Sequence, residues 1–351
     1  MPYVMMSVEM KSLNQNSYIK EISWKNNWAV KFSAGGYEAI IVPDVGGNVV
    51  ELKNIDKKVS ILRTPLEDLS LTDFRKRPQV YGLPVLFPPN RIEDGTFKLG
   101  EKVYKFPINE PKNNNYLHGF IKSEKWELTK KQIFDDKVVV EVEFAFTEKH
   151  KFYKYFNHKF LFKLSYELSK NGLKQITSVK NLSSEEMPVS VGYHTPFNVP
   201  FCEDGKVGDY RLKVSVDKYW PQDGRKLPTE ESLELNDEQR KYVEDGIVPS
   251  CHPIESLYSL KNIKVNGKDF KGAFIEDVSK KLRVVYKMGD SYKYLVVWND
   301  MGDKKYVCIE PQSSIINSPN VKMDKSISGF TTIKPGEMWS EECNIFVEDI
   351  K

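Results

Sequence analysis

A glutamate that follows an apolar strand is the first residue in this chain whose surroundings suggest chemistry. In KKYVCIEPQSSIINSPN (304–320), the alternation up to Ile309 predicts a strand, Glu310 stands at its end, and Pro311 restricts Glu310 to extended backbone. Partial burial raises the pKa of a carboxyl group, so Glu310 is a candidate general base. Gln312 follows it as a hydrogen-bonding group for a polar ligand. The alternative is a solvated glutamate at a strand end, because most charged residues are exposed.

Two histidines are further candidates for a site. His194 lies in VSVGYHTPFNVPF, where aromatic neighbours predict a partly apolar wall. Such a wall favours neutral imidazole and a nearby carboxylate favours imidazolium, a balance that predicts a pKa near neutrality. His118, in NNNYLHGF, precedes Gly119, whose backbone freedom allows a tight turn or the close approach of a ligand. A structural role fits either histidine as well.

Arg91 is a third kind of candidate, because two prolines stiffen the chain before it in FPPNRIEDGTF. A guanidinium in a rigid loop presents a fixed fork of donors to hydroxyl groups or carboxylates. The alternative is a structural salt bridge from Arg91 to Glu93 or Asp94. No role is predicted for the remaining histidines, His150, His158 and His252.

The composition excludes several classes of function. The 351 residues carry a net charge of +3 with both signs dispersed, which gives no support to a nucleic-acid partner. No apolar run approaches the roughly 20 residues of a spanning helix, and the N-terminus MPYVMMSVEMKSLNQ lacks the pattern of a secretion signal. We therefore expect a cytoplasmic protein with no membrane partner. Four widely separated cysteines predict free thiols and no zinc site: Cys202, Cys251, Cys308 and Cys343.

The elements that must position these residues are predominantly β-strands. KVVVEVEFAF (137–146) and FLFKLSYEL (160–168) alternate apolar and polar residues, which predicts long antiparallel strands with one buried face. Asn171–Gly172 and Asp94–Gly95 are predicted hairpin turns. The same alternation returns in several later segments.

Helix signals are few. Residues 66–78 predict a short helix that ends at Pro78, and residues 230–245 form a charged, helix-like surface excursion. No repeat and no low-complexity linker divides the chain. We therefore predict one all-β domain over residues 1–351, a large antiparallel sandwich.

Four separated segments together resemble one family. NRIEDGTF, NNNYLHGF, MPVSVGYHTPFN and VCIEPQS, in this order, are similar to the signature blocks of the aldose 1-epimerases, the galactose mutarotase-like family. The resemblance runs from about residue 20 to the C-terminus. It implies a β-supersandwich that holds a sugar in a groove on its concave sheet.

The resemblance also implies roles for individual residues. Glu310 would be the general base and His194 the general acid, with His118 close to the reacting end of the sugar. The family grips ring hydroxyl groups with an aspartate between the second histidine block and the glutamate, and Asp269 in GKDFKGAF is the candidate here. The implied substrate-binding residues are His118, Arg91, Asn90, Asp269 and Gln312.

The implied activity is the interconversion of the α and β anomers of a free aldose such as glucose or galactose. A base takes the proton of the anomeric hydroxyl while an acid protonates the ring oxygen, the ring opens, and rotation followed by closure gives the other anomer. This chemistry needs no metal, nucleotide or other cofactor. The expected partner is the sugar alone, bound by a monomer or a homodimer.

Three other functions remain open on sequence grounds. A hexose-phosphate 1-epimerase would need basic groups at the phosphate, which Arg75, Lys76 and Arg77 could supply. A non-catalytic carbohydrate-binding protein on the same fold is a second alternative. A glycosidase is a third, but Glu310 has no evident acidic partner in the sequence.

Overall fold

The computed structural model describes residues 9–11, as backbone only, and residues 17–350. The N-terminal segment on which the expectation of no secretion signal rests lies largely outside these residues. Within them, no helix is both long enough and apolar enough to cross a membrane.

Thirty strands account for most of the regular structure in the described residues. The first fifteen are β1 (Glu9–Lys11), β2 (Tyr18–Trp24), β3 (Asn27–Ala34), β4 (Tyr37–Val42), β5 (Asn48–Asn54), β6 (Val59–Ser60), β7 (Val85–Leu86), β8 (Arg91–Glu93), β9 (Thr96–Leu99), β10 (Lys102–Lys105), β11 (Asn115–Leu117), β12 (Glu127–Ile133), β13 (Lys137–Phe146), β14 (Phe160–Ser169) and β15 (Gly172–Asn181). The others are β16 (Met187–Val189), β17 (Gly192–Tyr193), β18 (Thr195–Asn198), β19 (Tyr210–Val214), β20 (Val216–Trp220), β21 (Leu233–Glu234), β22 (Glu255–Leu260), β23 (Ile263–Val265), β24 (Lys268–Phe270), β25 (Gly272–Asp277), β26 (Leu282–Met288), β27 (Tyr294–Trp298), β28 (Tyr306–Gln312), β29 (Thr331–Ile333) and β30 (Met338–Asp349).

Three large antiparallel sheets organise these strands. The first contains β1 to β6 in sequence order, and the second has the order β12-β13-β14-β15-β30-β26-β25-β19. The third has the order β21-β20-β22-β27-β28-β17-β7, with β18 also paired to β28. The predicted all-β antiparallel architecture is therefore confirmed.

The alternation along the central strands explains how the sheets pack. In β13 and β14 every second side chain, from Val138 to Phe146 and from Phe160 to Leu168, is buried in one common core. This core is shared with β3 and β4 of the first sheet, which contact β14. Tyr166 also donates a hydrogen bond of 2.8 Å from its hydroxyl to the carbonyl oxygen of Gly47. One buried face per strand joins the sheets into a sandwich.

The two predicted hairpin turns have different outcomes. β14 and β15 form a hairpin whose two turn residues are Lys170 and Asn171, so this prediction is confirmed, with Gly172 as the first residue of β15. Asp94–Gly95 does form a turn, but the flanking strands do not pair with each other: β8 pairs with β11, and β9 pairs with β10. The hairpin prediction for Asp94–Gly95 is therefore wrong.

The helices are short, as predicted. α1 (Leu71–Lys76) begins after Ser70, whose hydroxyl caps the backbone NH of Asp73, and a 3₁₀ turn at Pro78–Val80 follows it. Within the charged stretch 230–245 only α2 (Asp237–Arg240) is helical, and α3 (Lys325–Ser328) lies near the C-terminus. Further 3₁₀ turns occupy Pro111–Asn113, Val207–Asp209 and Asp300–Gly302.

Candidate active site

The third sheet supplies the floor of the candidate site. In β28, Val307 and Ile309 face the common core, so Glu310 points to the opposite face. Glu310 lies inside the strand, opposite Val296 of β27, and not at the strand's end as the sequence predicted. Its side chain is 2% exposed, which the sequence pattern did not indicate. The sheet thus places this carboxyl group almost out of contact with solvent.

His194 meets Glu310 from the neighbouring segment. His194 lies between β17 and β18, and both of these strands pair with β28. Its Nε2 atom is 3.1 Å from Oε1 of Glu310. Because His194 is only 5% exposed, the two side chains form a buried pair of titratable groups.

Burial shifts the two pKa values in opposite directions. It raises the pKa of Glu310 well above the usual carboxyl range, an effect that Arg91 opposes and Glu255 reinforces. It lowers the pKa of His194 to about 3, although main-chain groups of His194 and Gln79 act the other way. The expectation of a near-neutral pKa for His194 is therefore wrong, because desolvation dominates. Both shifts favour the uncharged forms.

His118 lies against His194 at the end of a left-handed turn. His118 has φ +62°, and Gly119 has φ +63°. A Cβ atom on Gly119 would lie 2.2 Å from the carbonyl oxygen of Phe87, so this position requires glycine because the chain packs against itself. The imidazole rings of His118 and His194 meet edge to face, with centroids 5.2 Å apart.

A lysine supports this turn from behind. Lys122 donates hydrogen bonds from Nζ to the carbonyl oxygens of His118 at 3.0 Å and of Gly119 at 3.3 Å. Burial lowers the pKa of Lys122 to about 8. The pKa of His118 is held well below its usual value, first by burial and then by the positive charges around it, including Lys122. His118 is therefore a neutral hydrogen-bonding group.

Arg91 is fixed by a glutamate that the sequence did not suggest. Its Nε and Nη2 atoms form a bidentate pair with Glu110, at 3.0–3.2 Å. The alternative of a salt bridge to Glu93 or Asp94 is wrong, because Arg225 binds both of these carboxylates, at 3.0 Å and 2.7 Å. The guanidinium of Arg91 thus has a constrained direction.

One cavity of about 290 Å³ is lined by Glu310, His194, His118 and Arg91. It includes Asn90, whose carbonyl oxygen accepts the backbone NH of His118 at 2.9 Å. The complete lining is Arg77, Gln79, Val80, Asn90, Arg91, Leu117, His118, His194, Glu255, Val296, Trp298 and Glu310. The structure thus brings together five of the seven predicted site residues, namely Glu310, His194, His118, Arg91 and Asn90.

Asp269 does not belong to this group. It lies in β24, which pairs only with β23 in a small two-stranded sheet. Its side chain is 70% exposed and forms a salt bridge with Lys264 at 2.8 Å. The prediction that Asp269 grips a ligand is therefore corrected, since the residue is a solvated hairpin carboxylate outside the cavity.

Gln312 is close to the cavity but does not line it. Two residues beyond Glu310, it lies on the same face of β28 and is fully buried. Its side chain packs beside Gly192. Neither amide atom of Gln312 hydrogen-bonds to another described residue.

Among the cavity residues that the sequence does not predict for the primary site, three have charged or aromatic side chains. Glu255 is the first residue of β22 and lies 4.0 Å from Arg91 and 2.9 Å from Lys226. Trp298 ends β27, with its ring 5.4 Å from that of His194. Arg77 follows α1, and the sequence suggests it only as a basic group for a phosphorylated ligand. Alternation in HPIESLYSL and YKYLVVWND predicts the strands that contain Glu255 and Trp298, but it does not indicate which face of each strand borders a cavity.

Comparison with known proteins assigns this chain to a protein family. A protein-family model described as aldose 1-epimerase matches residues 29–345. The chain belongs to the aldose 1-epimerase family. The resemblance found in the four sequence segments is thereby confirmed over most of the chain.

Solved structures of aldose 1-epimerase relatives agree with this assignment. A galactose mutarotase-like protein from Clostridium acetobutylicum is 64% identical, with 96% of this chain and 100% of that chain covered and a TM-score of 0.95. A putative aldose 1-epimerase from Escherichia coli K12 is 16% identical, with coverage of 91% and 98% and a TM-score of 0.69. Galactose 1-epimerase from Lactobacillus acidophilus NCFM is 15% identical, with coverage of 98% of each chain and a TM-score of 0.69. The last two similarities show the fold alone.

Proposed function

We propose that this aldose 1-epimerase family member interconverts the α and β anomers of an aldose. The observation that carries the proposal is the buried contact of 3.1 Å between His194 and Glu310 at one wall of a polar cavity. The anomeric hydroxyl and the ring oxygen of a pyranose are bonded to the same carbon atom. An acid and a base that act on them together must therefore lie a few ångströms apart, as these two side chains do.

In the proposed mechanism one proton is moved at each of two oxygens. The Glu310 carboxylate takes the proton of the anomeric hydroxyl while the His194 imidazolium protonates the ring oxygen, and the bond between the anomeric carbon and the ring oxygen breaks. The open-chain aldehyde rotates about its C1–C2 bond. The reverse transfers then close the ring on the other carbonyl face, so protons balance over the cycle and each group contributes roughly 10²- to 10⁴-fold.

The remaining cavity groups would hold the sugar for this exchange. Arg91, Asn90 and neutral His118 offer donors to sugar oxygens, and the Glu255 carboxylate offers an acceptor to hydroxyl groups. Glu255 thus takes the role that had been predicted for Asp269. Trp298 supplies an apolar face beside His194 on which the C–H groups of a sugar ring can pack.

Polarimetry tests this function directly. Purified protein should accelerate the change in optical rotation of freshly dissolved α-D-glucose or α-D-galactose. Glu310→Gln and His194→Asn should each lower kcat by roughly 10²- to 10⁴-fold, since each removes one proton-transfer group. Unchanged circular dichroism would exclude unfolding as the cause. Full activity in either variant would refute the mechanism, and no acceleration of any sugar by the wild type would favour the carbohydrate-binding alternative.

One observation favours a second candidate, an aldose that carries a phosphate. Arg77 lines the cavity and is 56% exposed, and its nearest carboxylate, on Asp300, is 4.0 Å away. Its two basic neighbours point elsewhere: Arg75 donates to the carbonyl oxygen of Asp44, and Lys76 pairs with Asp73. Arg77 is therefore the member of this basic triplet that is available to an anionic group on the sugar.

A further inference from the structure

A cysteine lies behind the proposed acid–base pair. Cys308 precedes Glu310 by two residues in β28, so both side chains project from the same face of the strand. The Cys308 Sγ atom, a ring nitrogen of His194 and a carboxylate oxygen of Glu310 all lie within 4.8 Å of one another. All three residues are buried. Sulfur, nitrogen and oxygen ligands thus converge at one point of the site.

This set of ligands matches the preferences of a particular class of cation. A thiolate, an imidazole and a carboxylate are the three side-chain types that bind Zn²⁺, whereas Mg²⁺ and Ca²⁺ require oxygen ligands. In a tetrahedral zinc site, ligand atoms lie roughly 3.3 to 3.6 Å apart, as follows from bond lengths of about 2.0 to 2.3 Å. Movements of about 1 Å would bring the three atoms to such positions.

We propose that His194, Cys308 and Glu310 form a binding site for a thiophilic divalent cation such as Zn²⁺, and that the cation inhibits the enzyme. The three side chains supply three ligands, and the fourth position faces the cavity, where water or a sugar oxygen can complete the coordination. A cation bound here occupies both proton-transfer groups at once. Inhibition as a consequence rests on the function proposed above, whereas binding of the cation does not.

The cation must displace protons in order to bind. Burial and the neighbouring Glu310 raise the pKa of the Cys308 thiol, so this group is protonated before the metal arrives. Binding therefore releases the thiol proton together with any proton held by the His194–Glu310 pair. The complex then holds one dication, two anionic ligands and a neutral imidazole, which leaves no net charge in the buried site. This balance offsets part of the cost of desolvating the dication.

The spacing of cysteines along the chain does not indicate such a site. Cys308 has no second cysteine near it in sequence, and His194 is more than one hundred residues away. The ligands meet only because β18 pairs with β28, which places Thr195 opposite Ile309.

Binding of Zn²⁺ and Co²⁺ to the purified full chain tests the proposal. The reference protein carries Cys251→Ser, because Cys251 is an exposed thiol that could bind metal at the surface. It should bind one Zn²⁺ per chain in competition with a chromogenic chelator, and Co²⁺ should give a thiolate-to-metal charge-transfer absorption band. Adding Cys308→Ser should abolish the band and weaken Zn²⁺ binding at least tenfold, the minimum expected for a direct ligand.

Two further variants separate ligation from damage to the fold. Cys343→Ser alters a buried thiol in β30 that is not part of the cluster, and it should behave as the reference does. Glu310→Gln should weaken Zn²⁺ binding at least tenfold while it retains the charge-transfer band, because the thiolate ligand remains. The proposal is overturned if Cys308→Ser binds Zn²⁺ as tightly as the reference, or if Co²⁺ gives the reference protein no such band.

The activity assay then distinguishes the two proposals. If Zn²⁺ binds through Cys308 but the protein accelerates no mutarotation, the metal site stands and the proposed function fails. If mutarotation is rapid and micromolar Zn²⁺ neither binds nor inhibits, the function stands and the metal site fails. If both hold, Zn²⁺ should inhibit in competition with the sugar, and Cys308→Ser should reduce the inhibition at least tenfold.

Discussion

The protonation state of the His194–Glu310 pair is the central question at the scale of single residues. Desolvation raises the pKa of Glu310 and lowers that of His194, so a proton shared by the pair lies on the carboxyl group and not on the imidazole. The proposed reaction needs the same number of protons but places them differently, with the Glu310 carboxylate as base and the His194 imidazolium as acid. Transfer of one proton across the 3.1 Å contact interconverts the two arrangements.

A bell-shaped pH profile follows from this shared proton. In the proposed mechanism the singly protonated pair is the active form, so activity should fall where the pair gains a second proton and where it loses its only one. Because the lowered pKa belongs to His194 and the raised pKa to Glu310, the acid limb should lie below pH 6.5 and the alkaline limb well above pH 4.5. Measurement of kcat/KM against pH checks this prediction. In Glu310→Gln only His194 of the pair still titrates, so the residual activity should show a single limb that falls as the pH rises, and a complete bell-shaped profile would assign one limb to another group.

Substitution of Arg77 tests whether the substrate carries a phosphate group. If the substrate is phosphorylated, Arg77→Met should lower kcat/KM for α-D-glucose 6-phosphate roughly tenfold to hundredfold, the worth of a hydrogen bond to a charged group. The value for unmodified glucose should change little. Lys76→Met is the matched control, because Lys76 pairs with Asp73 outside the cavity. Equal effects of Arg77→Met on both sugars would count against a phosphate site at Arg77.

At the scale of elements, the site depends on a rigid sheet and on irregular segments that are tied to it. β27 and β28 deliver Trp298 and Glu310 from one face of the third sheet, with their opposite faces packed in the common core. His118 has no such support from a sheet. Its left-handed turn is held by the Phe87 carbonyl, the Asn90 carbonyl and the ammonium of Lys122. The position of His118 therefore depends on a few polar contacts.

Lys122→Met should disturb the site through this turn. The substitution leaves the carbonyl oxygens of His118 and Gly119 without their donor, at a cost of roughly 1–3 kcal/mol to the native turn. We expect kcat/KM to fall about tenfold, and Lys122→Arg to recover part of it because a guanidinium can donate to the same oxygens. Lys125→Met is the control, since Lys125 is 76% exposed and pairs with Asp44 at 3.3 Å.

A double-mutant cycle shows whether Lys122 acts through His118. If it does, Lys122→Met should have little further effect in a His118→Ala background, where no imidazole remains to be positioned. Additive effects of the two substitutions on kcat/KM would show instead that Lys122 acts by another route, such as general stability.

The sequence predicted those parts of the molecule that depend on local pattern. The alternation in 137–146 and 160–168 identified strands with one buried face, because a strand places successive side chains on opposite sides. Glu310 and His194 were found because each lies in a short segment with unusual chemistry. The distance of 3.1 Å between Nε2 of His194 and Oε1 of Glu310 cannot be predicted from the local sequence pattern. It depends on pairing between strands that are distant in sequence.

The failures have the same physical origin. Its order along the chain suggests Asp269 as a ligand-binding residue, but the β23–β24 hairpin places it in solvent. The sequence does not indicate a ligand-binding role for Glu255, because the residues around a glutamate at the start of a strand are the same whether it faces water or a cavity. The turn at Asp94–Gly95 was identified correctly, but strand pairing around it is decided by partners that are distant in sequence.

At the scale of the whole molecule, the fold keeps several histidines uncharged. Burial lowers the pKa of His118, of His194 and, to about 4, of His158. The unfolded chain exposes these groups with a pKa near 6.5. Between pH 6.5 and 4 the unfolded state therefore binds more protons than the folded state, so each histidine contributes stability that is present above pH 6.5 and is lost as the pH falls.

His158 allows this effect to be measured away from the candidate site. It is fully buried, and its Nε2 lies 2.7 Å from the Tyr104 hydroxyl. His158→Gln removes the titrating group but keeps an acceptor for that hydroxyl. Between pH 7 and pH 4 the free energy of unfolding should fall by roughly 3 kcal/mol more in the wild type than in His158→Gln. A difference of one bound proton between the folded and unfolded states changes this free energy by about 1.4 kcal/mol per pH unit. Urea unfolding at a series of pH values gives the slope of the unfolding free energy against pH for each protein. The control is His252→Gln, at an exposed position, which should retain the wild-type slope. Parallel curves of unfolding free energy against pH for the wild type and His158→Gln would contradict the prediction. They would mean that His158 has the same pKa in the folded and unfolded chains.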